Sequence, residues 1–202
     1  MILAGTEIGK EVEAGNITID PYEPKHLNPA SIDLTLGRGV TLYEGTVFLD
    51  QDSEGDHFDG SSILPFRSKA IDVRVPPRVR RFEIPDEGWL VLPNIAYLMH
   101  TAERVTTDKY VPIVDGKSSL GRLFLSVHQT AGFGDPGFDG EYTLEVTSLF
   151  PVRLYPGMRV CQMRFHTILG TPVNYRDVGH YVGDKARGAV ASEVRVAGFN
   201  GK

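Results

Sequence analysis

The sequence predicts an all-β fold, a barrel or jelly roll, with one short helix at its N-terminus. Three observations carry this. Apolar residues come in short runs or alternate with polar ones, which is the period of strands. The 22 glycines and 13 prolines punctuate those runs into turns. A helical spacing stands out only near the start, where Ile8 and Val12 lie four residues apart. Many short strands with Gly/Pro turns and little helix fit a closed or sandwiched all-β architecture.

The elements follow in order. Thr6 is placed to cap a helix running to about Ala14, and Gly15 suits its C-terminal stop. Ile17 to Ile19 forms a short strand ended by Asp20-Pro21. From Ser31 to Leu36, Ile32, Leu34 and Leu36 alternate with Ser31, Asp33 and Thr35, as in a half-buried strand. Val40 to Leu49 is further strand material around a turn at Glu44-Gly45. Asp50 to Gly60 is acidic but lacks the twelfth-position Glu and the oxygen spacing of a calcium loop, so it reads as a solvated surface loop. Arg78-Val79-Arg80-Arg81 is a charged strand edge or a subunit or phosphate contact. Trp89–Leu92 and Ile95–Met99, separated by Pro93-Asn94, read as buried strands, and Arg104 to Val114 as another extended piece. Val152–Tyr155 leads through Pro156-Gly157 into an alternating strand, Arg159 to Ile168. From about Asn174 the chain turns polar, Gly-rich and basic, as flexible tails do.

Bulk properties narrow the function. At 202 residues one domain is the simplest count. Hydrophobic content of 41% and charged content of 23% are ordinary for a globular protein. A net charge of -5 argues against coating nucleic acid, which needs a basic face. A single cysteine, Cys161, excludes an internal disulfide and points to a reducing, cytoplasmic compartment. No apolar run reaches the length of a membrane span, and Met1 to Gly5 does not read as a signal peptide.

The chemistry concentrates between Asp115 and Glu145. Gly116-Lys117-Ser118-Ser119-Leu120-Gly121-Arg122 offers hydroxyl, ammonium and guanidinium donors for phosphate oxygens. It precedes an apolar run, Leu123 to Val127. Asp135 sits in a Gly/Pro turn where backbone can approach a ligand closely, or where Asp merely caps the turn. Glu145 is an acid in a strand-like segment, with Leu144 and Val146 directed to the opposite face. A carboxylate so placed either faces solvent or is held for chemistry.

Taken in order and at their spacing, GKSSLGR, TAGFGDPGFDG and TLE resemble the dCTP deaminase family, homotrimeric relatives of dUTPases. Asn28 to Leu34 is similar to that family's PASxDL segment, and Tyr155 to Met163 to the PGxxIxQ strand shared with dUTPases. The resemblance covers nearly the whole chain, least clearly Asp52 to Arg80. It implies a dUTPase-like β-barrel or jelly roll spanning 1–202 as one domain, with 174–202 as a lid tail. It also implies a homotrimer with sites between subunits.

Residue by residue, the resemblance makes Glu145 the proton shuttle for deaminating dCTP at cytosine C4. Ser118, Arg122 and the Ala131 carbonyl would hold the water, and Arg122 would also meet charge developing on the ring. Its bland alternative is a structural ion pair. Lys117, Ser118 and Ser119 would donate to the triphosphate together with tail groups of a neighbouring subunit, and Leu120 and Gly121 would also contact the nucleotide. Asp135 would accept from the 3′-hydroxyl, and Thr143, Leu144 and Glu145 would line the nucleotide. Phe133 or Phe138 would reject a 2′-hydroxyl or simply pack in the core, and His128 reads as a packed or hydrogen-bonded residue. Tyr175, Tyr181 and Lys185 would be tail contacts, although His180 and Lys185-Ala186 depart from the family's Lys and Gln and the spacing runs about two residues longer.

The chain has one Cys and no H-x-E…P-C-x-x-C pattern, so the zinc mechanism of other deaminases is not expected. Mg²⁺ is expected on the triphosphate. Thr130-Ala131-Gly132-Phe133, where one-step bacterial members tend to carry His-Arg after Thr-Ala, resembles bifunctional members that go on to dUMP and pyrophosphate. Gly132 would leave room for a second water at the α-phosphate, or only relax the turn. dUTP is then a second substrate, and dTTP a possible feedback inhibitor. The rival readings are a deaminase releasing dUTP, a plain dUTPase, and a catalytically silent nucleotide sensor.

Overall fold

A computed structural model describes residues 1–43, 47–48, 63–64, 77–183 and 187–189. The expected turn at Glu44-Gly45, the Asp50–Gly60 loop and Lys185 lie outside the described residues. As the sequence predicts, the fold is mostly β with few helices.

Helix α1 (Gly5–Glu13) buries Ile8. Its N-cap is Ala4 with no side-chain bond, not Thr6. A Cβ on Gly5 would stand 1.9 Å from the Asn28 carbonyl oxygen, so the helix starts at a glycine where the chain passes close. Gly15, at φ 73°, ends it in the left-handed region as expected. Next come β1 (Thr18–Asp20), β2 (Ile32–Thr35), β3 (Gly39–Tyr43), β4 (Val47–Phe48), β5 (Ile63–Leu64) and β6 (Val79–Glu83). They are followed by β7 (Trp89–Val91), β8 (Tyr97–Thr106) and β9 (Tyr110–Gly116). The short helix α2 (Ser118–Gly121) leads to β10 (Leu125–Ser126), β11 (Asp139–Ser148), β12 (Val152–Leu154), β13 (Arg159–Thr167) and helix α3 (Tyr175–Val178).

The largest sheet runs β10-β11-β8-β3-β6, with β1 also paired to β8. A three-stranded sheet runs β2-β13-β9, and β7 pairs with β12. Between them lies one apolar core, including Trp89, Tyr97, Phe165, Met99 and Leu34, each fully buried. Arg80 and Arg81 are exposed on β6, which ends the large sheet, so charge blunts that edge.

Two expectations are corrected. Arg104 to Val114 is not one extended piece: β8 ends at Thr106 and β9 begins at Tyr110, with Asp108 exposed between them. Within the apolar run Leu123 to Val127, Leu123 and Phe124 are exposed, and Leu125 and Val127 enter the core. The positive φ of Phe124 (54°) turns the chain there. Strand β2 is buried on both faces rather than half-buried.

Its polar residues are inside because each is bonded. Asp33, 1% exposed, receives the Lys117 ammonium at 2.5 Å, the Arg159 guanidinium at 3.2 Å and the Asn28 amide at 2.8 Å. The Thr35 backbone N–H and hydroxyl both donate to the buried Glu103 carboxylate, at 2.8 and 2.7 Å.

Cys161 lies in β13 with no exposure. Burial, and after it the charges of Glu103 and Asp33, push its thiol above the ordinary range, so little reactive thiolate forms. Iodoacetamide at pH 8 should alkylate the folded protein at least about a hundredfold more slowly than the urea-unfolded chain. Mass spectrometry of timed samples measures this, and equal rates would contradict the buried placement.

Candidate active site

Strand β11 supplies one wall of a cavity of about 370 Å³. Its period of two puts Glu141, Thr143 and Glu145 on one face, and all three line the cavity. Leu144 and Val146, 1% exposed each, point into the core. Leu144, expected to line the nucleotide, is therefore not on the cavity wall. Register with β8 pairs Thr143 with His100 and Glu145 with Leu98.

Glu145 is half-buried, and its Oε2 accepts the Gln129 backbone N–H at 2.8 Å. The Gln129 side chain also donates to Thr147 Oγ1 at 2.8 Å, so the segment leading to Ala131 is tied to β11 twice. One carboxylate oxygen is thereby fixed, which leaves the other to meet a substrate. Ala131 lines the same cavity and is exposed.

Across from β11, the turn that carries Asp135 packs beneath the cavity. The Asp135 side chain is exposed to it, and Pro136 and Gly137 are buried behind. Phe138 stacks edge-on to Tyr142 at 4.8 Å and to Tyr175 at 5.7 Å, which makes an aromatic floor. The Tyr142 hydroxyl is buried with no hydrogen-bond partner among the described residues. Burial, then the charge of Asp135, push that phenol well above its ordinary range. Tyr175 is held by its backbone N–H on the Pro136 carbonyl at 2.9 Å, and its hydroxyl accepts the Tyr181 N–H at 3.2 Å. Both tyrosines line the cavity.

The structure thus brings together Ala131, Asp135, Thr143, Glu145, Tyr175 and Tyr181. It does not bring Lys117, Ser118, Ser119, Leu120, Gly121 or Arg122 to the same cavity. Ser118, Ser119, Gly121 and Arg122 are exposed, and Leu120 is buried in the core. Lys117, expected to meet phosphate, has its ammonium on Asp33. Gln162 fixes this loop, donating to the Gly116 carbonyl at 3.0 Å and accepting from Ser31 Oγ at 2.8 Å.

Gly132 opens no room toward the cavity. A Cβ there would stand 2.5 Å from the Val114 carbonyl oxygen and 3.3 Å from the His128 ring. The glycine is needed because this turn lies against β9, where Val114 N–H donates to the Gly132 carbonyl at 2.7 Å. His128 packs there, 3.8 Å from Asp115, and Asp115 also receives Arg164.

Glu141, Tyr142 and His100 belong to this region and were not singled out from the sequence. Glu141 was legible, standing two and four residues before Thr143 and Glu145 on a strand. Nothing in the sequence marks His100, whose neighbours come from β3 and β11.

Residues 2–168 match the family model described as dCTP deaminase-like. A Leptospira biflexa protein named "dCTP deaminase, dUMP-forming" is 39% identical over 176 residues, covering 87% of each chain. A Cytophaga hutchinsonii protein of the same name is 37% identical over 185 residues, covering 92% of each. A solved structure, the 2′-deoxycytidine 5′-triphosphate deaminase from Agrobacterium tumefaciens, has the same fold at a TM-score of 0.56 and 18% identity. That match covers 82% of this chain and 48% of the Agrobacterium chain, so the chain spans about half its length.

Substituting Gly132→Ala should force the turn off β9 and cost about 1–3 kcal/mol of stability, as overpacking does. Urea unfolding of the two proteins measures this. An unchanged midpoint would show that the turn has slack the geometry denies.

Proposed function

Because the chain belongs to the dCTP deaminase-like family, we propose that it converts dCTP and two waters to dUMP, ammonia and pyrophosphate. The observation that carries this reading is Glu145. It is half-buried on the cavity wall, anchored through one oxygen by the Gln129 N–H, with its strand neighbours locked in the core.

Water adds to C4 of the cytosine ring as Glu145 takes one of its protons and delivers it to N3. Glu145 then takes the second proton from the new C4 hydroxyl and gives it to the amine, so the C4–N bond breaks, ammonia leaves and the C4 carbonyl forms. The Ala131 carbonyl orients the water, with Ser118 and Arg122, and Arg122 also opposes charge building on the ring. Asp135 accepts from the 3′-hydroxyl and serves as base for a second water that attacks the α-phosphate and releases pyrophosphate. Tyr175 and Tyr181 close over the nucleotide from the tail. dUTP enters the second half of the same sequence. dTTP shares the sugar and triphosphate of dCTP and competes for the site as a feedback inhibitor.

Ser118 and Arg122 lie outside their own chain's cavity, so we assign them to the cavity of a neighbouring copy in a homotrimer. Beside them Leu123, Phe124, Leu149 and Phe150 are exposed, with the Phe124 and Phe150 rings 5.7 Å apart. Such an apolar patch suits a subunit contact. Lys117 holds this loop in place through Asp33 rather than reaching the phosphates itself.

Among the described residues no three of His, Cys, Asp and Glu converge as a metal site. We therefore assign Mg²⁺ to the triphosphate oxygens and water, where it would neutralise phosphate charge.

With dCTP and Mg²⁺, the protein should release ammonia and pyrophosphate in step and accumulate dUMP. Glu145→Gln keeps the shape but cannot cycle a proton, and should lower deamination at least about a thousandfold. Accumulation of dUTP without pyrophosphate would reduce the reading to deamination alone. Turnover by Glu145→Gln near the parent rate would remove Glu145 from the chemistry.

A second experiment tests the shared site. Glu145→Gln and Arg122→Ala subunits, each inactive alone, should regain activity when unfolded together and refolded as mixed trimers. Failure of every mixture would place both residues in one subunit's site.

A further inference from the structure

We propose that Glu141 is the positioning residue that fastens the chain's own tail at the edge of the cavity, with His100 fixing its carboxylate from behind. The Glu141 Oε2 accepts the Gly188 backbone N–H at 2.7 Å. The same oxygen lies 2.8 Å from His100 Nδ1.

The bonds of His100 define its tautomer. Its Nε2 accepts the Gly39 backbone N–H at 2.9 Å, so that nitrogen carries no proton. The proton of the neutral ring is on Nδ1, directed at Glu141 and at the Thr101 carbonyl, 2.9 Å away. The ring cannot turn. A Cβ at Gly37 would lie 2.2 Å from its Cε1, and one at Gly39 would lie 2.9 Å from its Nε2. Two glycines of the β3 approach therefore make a slot for one imidazole.

Two further bonds complete the clasp. The Thr143 hydroxyl donates to the Gly188 carbonyl at 3.3 Å, and the Thr41 hydroxyl to the Ala189 carbonyl at 2.8 Å. All three bonds meet tail backbone, so they read the path of the tail rather than its side chains. Gly188 sits at φ 73°, in the left-handed region, so this path asks for glycine at that position. Glu141 is the charged member, and its bond is the short one. It lies on the same strand face as Thr143 and Glu145, so the point that fastens the tail is part of the wall that holds the substrate.

The effect on turnover rests on the dCTP reading above, but the clasp does not. The amide that Glu141 holds belongs to the Arg187–Gly188 bond, which trypsin cuts. Timed digestion of the native protein, read by mass spectrometry, therefore reports the clasp directly, with the exposed Arg176–Asp177 bond as internal control. Glu141→Ala should speed cleavage after Arg187 about tenfold, the scale of one bond to a charged acceptor, and leave cleavage after Arg176 unchanged. Glu141→Gln keeps an acceptor oxygen and should fall between. Gly188→Ala, which strains the tail's path, should act in the same direction. In turnover assays Glu141→Ala should raise KM for dCTP more than it lowers kcat. Cleavage after Arg187 at the parent rate in both Glu141 variants would overturn the proposal, whatever their activity. Absence of dCTP turnover in every protein would instead overturn the substrate reading and leave the clasp to the digestion result.

Discussion

The pairing of β11 with β8 is the constraint on which the rest depends. β8 takes β11 along one edge and β3 and β1 along the other. Strand side chains alternate, so this register decides which residues of β11 face the cavity. A slip of one residue would carry Glu145 into the core and bring Leu144 out. The register is pinned by an irregularity: while β11 advances from Glu141 to Thr143, β8 passes from Arg104 to His100. Thr101 to Glu103, three residues, thus stand opposite Tyr142 alone. Thr101 Oγ1 accepts the Tyr142 N–H at 2.9 Å and donates to the Glu103 carbonyl at 2.8 Å. Glu103 turns inward to β2. The bulge therefore locks the ladder and sends a carboxylate across to the second sheet.

Much of this was legible in the sequence because it depends on local period. The alternation in Tyr142 to Thr147 gives the two faces of β11, and Gly15 marks the end of α1. Other features depend on partners far along the chain. The alternation of β2 suggests an exposed face, yet Asp33 and Thr35 are buried because Lys117, Arg159 and Glu103 reach them from 68 residues away or more. Lys117 reads as a phosphate ligand from its neighbours alone, and its commitment to Asp33 appears only once β2 and β9 lie beside β13. Gly132 looks like room made for a ligand, and what it makes room for is the carbonyl of Val114. The break between β8 and β9 has no glycine or proline to announce it.

The cavity also shows a division of labour between rigid and adaptable parts. One wall is strand, its floor is a cluster of interlocked rings, and at its edge Gly188 and Ala189 are fastened through backbone groups. Carboxylates appear in each role but in different surroundings. Asp33 and Glu103 are sealed among donors and hold the architecture together. Glu145, Glu141 and Asp135 keep an edge on the cavity, where a ligand can reach them. Burial with several partners marks the structural carboxylates, and partial burial with an open side marks those available for chemistry.

The chain has a single tryptophan, and its position gives the protein a built-in optical reporter. Trp89 has no exposure and lies 5.7 Å from the Phe82 ring and 6.4 Å from that of Tyr97, away from the cavity wall. Buried among rings, the indole should emit to the blue of an exposed one. Fluorescence excited selectively at the indole should therefore follow the melting of the core, whereas the tyrosines on the cavity wall would answer to what enters the cavity. Collapse of the scaffold and loss of ligand can be told apart in one cuvette without attaching a dye.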